Sequence, residues 1–133
     1  MNTTYFRNLI ANHIYHGAGD GTLPDTYYLG LSSTAPSADG TGVTEPSASG
    51  GYARVAITGV SAAADGVVTN SNALSFSESI TGWGTVNYFV VYDAATGGNL
   101  LMSDAMTTPR TIEEGTIMTV KAGALELRVV DIT

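Results

Sequence analysis

With 133 residues, 12 acidic and 5 basic side chains and a net charge of −7, the chain is long enough for one domain, residues 1–133, and too poor in cations to neutralise a nucleic-acid backbone. It has no cysteine, which excludes disulfides, thiolate chemistry and Cys-based metal sites, and no run of about 18 apolar residues that would cross a membrane. Charged residues are 13% of the chain, about half the usual share of roughly 25%, while Gly, Ser and Thr make up about a third, so the surface is mostly neutral and hydroxyl-rich.

Residues 1–7 lack the basic-then-apolar layout of a signal peptide. Tyr5, Phe6, Leu9, Ile10, His13 and Ile14 recur at a spacing of three to four and predict an amphipathic helix over residues 3–16. Asn2, Thr3 or Thr4 can cap its start, and Gly17 suits the position just past its end. Such an apolar stripe is large for so short an element and predicts burial against a neighbouring chain.

The texture then changes to short β runs. A strand is expected at residues 27–31 after the Pro24-Asp25 turn signal. Residues 32–51, with Pro36, Pro46 and several glycines, read as a long loop; loops of that length tend to carry function or to pack on a partner. Further strands are expected at 52–58, 67–70 and 73–76. The run 85–92 is the most apolar and predicts a central strand, turning through Asp93-Ala94-Ala95-Thr96-Gly97-Gly98 into a partner at 99–103. Pro109 breaks that partner or marks an edge. Residues 116–120 and 124–130 are expected to pair as a terminal hairpin around Lys121-Ala122-Gly123. Seven or eight short strands with regular turn signals predict a mainly β fold, an antiparallel β-sandwich or barrel with an N-terminal α-helix.

Chemistry is sparse. His13 and His16 stand three apart on the helix, as a metal pair does, with only Asp20 or Asp25 to complete a site; a His on the stripe and a His near the helix end, where its cation favours the dipole, is the preferred reading. Asp39-Gly40-Thr41-Gly42 has neither calcium-loop nor dinucleotide-loop spacing and reads as turn chemistry. Glu113 and Glu114 read as solvated turn charges rather than a glycosidase pair. No nucleophile elbow, phosphate loop or metalloprotease motif occurs, so neither an enzyme nor a cofactor site is expected, and no metal. Arg54 and Arg110 sit in uncharged surroundings, where a guanidinium either pairs inside the subunit, with Glu45, Asp93 or Glu78 as candidate partners, or contacts a neighbour. Trp83, flanked by glycines, reads as a plug for a core or an interface, and less strongly as a platform for a glycan.

The order Tyr28-Leu29-Gly30-Leu31, Asp39-Gly40-Thr41-Gly42, Glu45 and Gly50-Gly51-Tyr52-Ala53-Arg54 resembles small tailed-bacteriophage virion proteins commonly described as phage tail fiber proteins. The blocks Trp83-Gly84-Thr85-Val86, Asp93-Ala94-Ala95-Thr96-Gly97-Gly98-Asn99-Leu100-Leu101 and Thr108-Pro109-Arg110-Thr111 extend the resemblance over nearly the whole chain. It implies a structural virion subunit of the tail or tail fibre, assembling with other virion proteins and with copies of itself. Tyr5, Phe6, Leu9, Ile10, His13, Arg54, Trp83 and Arg110 are the candidate interface residues. The other roles weighed are a capsid decoration protein and a host-glycan-binding module. Ser47-Ala48-Ser49-Gly50-Gly51 departs from the short glycine run of the family and is a place for partner-specific variation.

Overall fold

The computed structural model describes residues 1–17 and 23–128. In chain order the elements are helix α1 (Thr4–Tyr15) and strands β1 (Tyr28–Ser32), β2 (Val55–Ala56), β3 (Val67–Thr69), β4 (Leu74–Ser75), β5 (Gly84–Tyr92), β6 (Leu100–Ile112), β7 (Thr119–Val120) and β8 (Glu126–Arg128). A 3-10 turn, Ala48–Gly50, interrupts the long loop.

Four strands form an antiparallel sheet in the order β2-β1-β5-β6, so the most apolar run, β5, lies between two neighbours as expected. Alternation then decides what each face buries. Leu29 pairs with Val91 and Leu31 with Phe89, and these point to one side. There they meet Leu74, Phe76, Met118, Val120 and Leu125 from two small ladders, β4 with β7 and β3 with β8. The result is an antiparallel sandwich with one helix. The other face of the large sheet carries Val90, Tyr92 and Leu100, and Val43 of the long loop packs against them.

The long loop is held by its own hydroxyls. The Ser32 hydroxyl accepts the Thr34 and Thr44 amides at 3.2 and 3.0 Å and donates to the Thr34 carbonyl at 2.7 Å. Thr41 donates its amide and hydroxyl to Asp39 at 3.0 and 2.6 Å, the turn chemistry read in the sequence. Among the described residues no buried side-chain polar atom lacks a partner. The Ser and Thr content therefore serves backbone satisfaction as much as surface polarity.

Three expectations need correction. The terminal hairpin does not form: β7 pairs with β4, and β8 with β3. Asn70 is the reason. Its side chain donates to the Lys121 carbonyl at 2.9 Å and accepts the Leu125 amide at 2.9 Å, while its carbonyl accepts the Gly123 amide at 2.8 Å. That grip turns residues 121–125 into a corner that carries the chain from one ladder to the other. The strand expected at 52–58 keeps a ladder only at Val55–Ala56, because Tyr52 and Arg54 turn their side chains to other work. Finally, of the two readings of Pro109, the edge is borne out, since β6 is an edge strand, and the break is not, since β6 runs through it for 13 residues. Val86 pairs with Arg110 and Tyr88 with Ala105, so residues 106–109 bulge opposite the single residue Asn87. A proline fits such a bulge on an edge strand because it owes no ladder hydrogen bond there.

Candidate functional site

Arg54 gathers three segments. Its Nε and Nη2 reach the two oxygens of Glu45 at 3.0 and 2.7 Å. Its Nη1 donates to the carbonyls of Ala94 and Gly97 at 2.8 Å each, which fixes the β5–β6 turn. The guanidinium carbon lies 3.5 Å from the Tyr92 ring centroid, a cation–π contact. The Arg54 side chain is only 7% exposed. Of the partners weighed in the sequence, Glu45 is the one that takes it.

Tyr52 completes the cluster. Its hydroxyl donates to Glu45 Oε2 at 2.5 Å and accepts the Leu31 amide at 3.0 Å. Burial, and then the bond to Glu45, push its phenol far above the usual tyrosine range. Burial works against the charge of Glu45, yet the hydrogen bonds from Arg54 and Tyr52 and the Arg54 charge bring it below the ordinary carboxylate value. The cluster leaves Gly30 no room for a side chain: a Cβ there would sit 2.7 Å from the Tyr52 hydroxyl and 3.0 Å from Val90 Cγ2. Every group is committed to holding the long loop, β1 and the β5–β6 turn together. The arrangement is a clasp and contains no nucleophile aligned with a base.

Helix α1 is anchored at its root and exposed along its length. Thr3 is fully buried; its hydroxyl caps the Phe6 amide at 3.2 Å and donates to the Leu100 carbonyl at 2.6 Å. The Thr3 amide donates to Leu101 and the Ser103 amide to Met1, at 2.9 and 2.8 Å, and the Met1 ammonium donates to the Ser103 carbonyl. Asn2, also buried, reaches the Arg128 carbonyl at 2.8 Å. Yet no residue within the helix is buried. Phe6, Leu9, Ile10 and His13 are half-buried on the body side, with Phe6 against the core. Tyr5, Ile14 and Tyr15 are 44%, 57% and 85% exposed. The middle of the stripe read in the sequence thus faces the body, its two flanks at Tyr5 and Ile14 are exposed, and Tyr15 lies on the side away from the body.

The family described as Podophage GP4 fiber I protein gp80 matches residues 1–128, almost the whole chain. The chain belongs to this family of phage fiber proteins. No curated protein matches it. As a fiber protein it is a tail-associated structural component of the virion, and the resemblance noted in the sequence is confirmed.

The remaining candidate residues of the fiber protein lie on different elements. Trp83 packs on the core, its ring edge-on to Tyr52 at 5.4 Å, and its indole N–H donates to the Gly50 carbonyl at 2.8 Å. That is the plug arrangement, with the polar edge already used. Arg110 is exposed at the residue of β6 that follows the bulge and pairs with Val86. His13 and His16 lie at the end of α1, and among the described residues no group of three His, Cys, Asp or Glu could hold a metal; Asp20 lies outside the described residues. Sequence reasoning missed the roles of Asn2 and Thr3 as anchors, and of Tyr52 and Tyr92 in the clasp. Tyrosines one residue from a glycine pair or before a turn give no signal that separates them from core residues.

Proposed function

We propose that the fiber protein is an assembly subunit, in which α1 is a docking arm for a neighbouring copy of the same chain. The observation that carries this reading is the contrast between the root and the body of α1. Asn2 and Thr3 are buried and bonded to β6 and β8, whereas the twelve helical residues include none that is buried. A helix of about a dozen residues is marginal on its own in water and gains most of its stability from packing an apolar face. Covering Tyr5, Ile14 and Tyr15 would remove a large apolar area from water, each side chain contributing on the order of 1–3 kcal/mol when fully buried. The low charge of the chain suits such contacts, since few ions need to be stripped of water.

Sedimentation velocity of the full chain tests the reading. Wild type is expected to form concentration-dependent oligomers, and Tyr5→Ser/Ile14→Ser/Tyr15→Ser to stay monomeric with an unchanged circular-dichroism spectrum. Oligomers of equal stability in the triple variant would overturn it.

A further inference from the structure

We propose that the cleft beneath the β6 bulge receives the acidic corner of a second copy of the chain. The inference rests on the assembly reading and adds to it a second contact surface.

The cleft, about 340 Å³ in volume, opens between the bulged part of β6 and β7. Phe89, Met106, Met118 and Val120 give it an apolar floor, and Arg110 and Lys121 stand at its sides. Arg110 pairs with Val86, a core residue, so it belongs to the inner face of the sheet at an edge where no further strand covers it. In a chain with 12 acids and 5 cations, no acidic residue lines this cleft. The other three cations are engaged: Arg54 with Glu45, Arg128 with Glu126, and Arg7 with the Thr4 hydroxyl. Of the five Lys and Arg side chains, all of them among the described residues, Arg110 and Lys121 are the two that make no side-chain hydrogen bond or ion pair, and they share one cavity. Two such cations over a low-dielectric floor focus positive potential there, against the sign of the whole molecule.

The complement lies on the same chain. Glu78, Ile80 and Glu114 border a recess at the start of the segment that leads into β7. Ile80 is 65% exposed, and neither glutamate is ion-paired among the described residues. The Ser79 hydroxyl, bonded to the Glu113 carbonyl at 2.5 Å and the Thr116 amide at 2.9 Å, holds the two arms of this corner together. An exposed isoleucine between two carboxylates matches an apolar floor between two cations. Each copy carries both halves, so the contact can repeat between identical subunits.

Charge reversal tests the contact on the full chain. Arg110→Glu/Lys121→Glu makes both patches acidic, and Glu78→Lys/Glu114→Lys makes both basic. All four side chains are exposed, so both variants are expected to melt as wild type does. Each alone is expected to self-associate at least about tenfold more weakly than wild type, and an equimolar mixture to recover most of that loss. Association of either variant at wild-type strength, or a mixture no better than its components, would overturn the contact. If the charge variants associate normally while the α1 triple variant does not, this contact fails and the docking-arm reading stands. If wild type and all variants remain monomeric, both fail.

Discussion

The Tyr52 hydroxyl takes the Leu31 amide at 3.0 Å, two residues beyond the point where the β1–β2 ladder stops at Leu29 and Val55. A side chain thus replaces a strand as the acceptor for a buried backbone N–H, and the same hydroxyl donates its own hydrogen bond to Glu45. Replacing Tyr52 with Phe keeps the ring against Phe76 and Trp83 but orphans that amide. A loss of about 1–3 kcal/mol in urea denaturation is expected. A change within about 0.5 kcal/mol would mean that the hydroxyl bond is not part of the fold's stability.

Glu45 makes stability depend on acid. Its folded carboxyl titrates below the ordinary value, so its contribution is complete above the unfolded value of about 4.5 and fades as the pH falls through the lowered folded one. Glu45→Gln leaves Arg54, almost wholly enclosed, without its counter-charge. A loss on the order of 3 kcal/mol at neutral pH is expected, together with a flatter acid limb in melting temperature against pH.

Tyr52 and Tyr92 act at the other end of the scale. Both phenols are raised, first by burial and then by Glu45, so the stabilisation tied to their neutral forms is present below about pH 10 and is lost as the pH rises further. Thermal melts between pH 9 and 11.5 are expected to fall in wild type, and to fall less steeply in Tyr52→Phe.

Gly30→Ala tests the tightness of the clasp. Its Cβ would press on the Tyr52 hydroxyl at 2.7 Å and Val90 Cγ2 at 3.0 Å. Overpacking of this kind destabilises by about 1–3 kcal/mol. Tyr52→Phe/Gly30→Ala should lose less than the two single losses added, because removing the hydroxyl frees the space that the methyl needs.

The fold was legible where one local signal sufficed. Periodicity located α1 and the apolar run located β5, and Pro109 pointed to an edge. Pairing was less legible, because it depends on residues distant in sequence. Nothing local says that Asn70 grips residues 121–125 and so prevents the terminal hairpin. The candidate surface divides in the same way. Arg54 stood out by the scarcity of cations, and Glu45 was among its foreseen partners. Lys121 gave no such sign; only the fold brings it beside Arg110, eleven residues earlier, across one cleft.

The exposed side chains of α1 carry the central claim, and point variants test it better than removal of residues 1–16, since Asn2 and Thr3 also close the edge of β6. The decisive measurement is the amount of the chain incorporated into purified virions when Ile14→Ser/Tyr15→Ser replaces wild type. These side chains are exposed, so the melting temperature should not move. Incorporation is expected to fall at least about tenfold, as when a contact loses two apolar anchors. Virions that carry the variant at the wild-type amount would contradict the role of α1 in assembly.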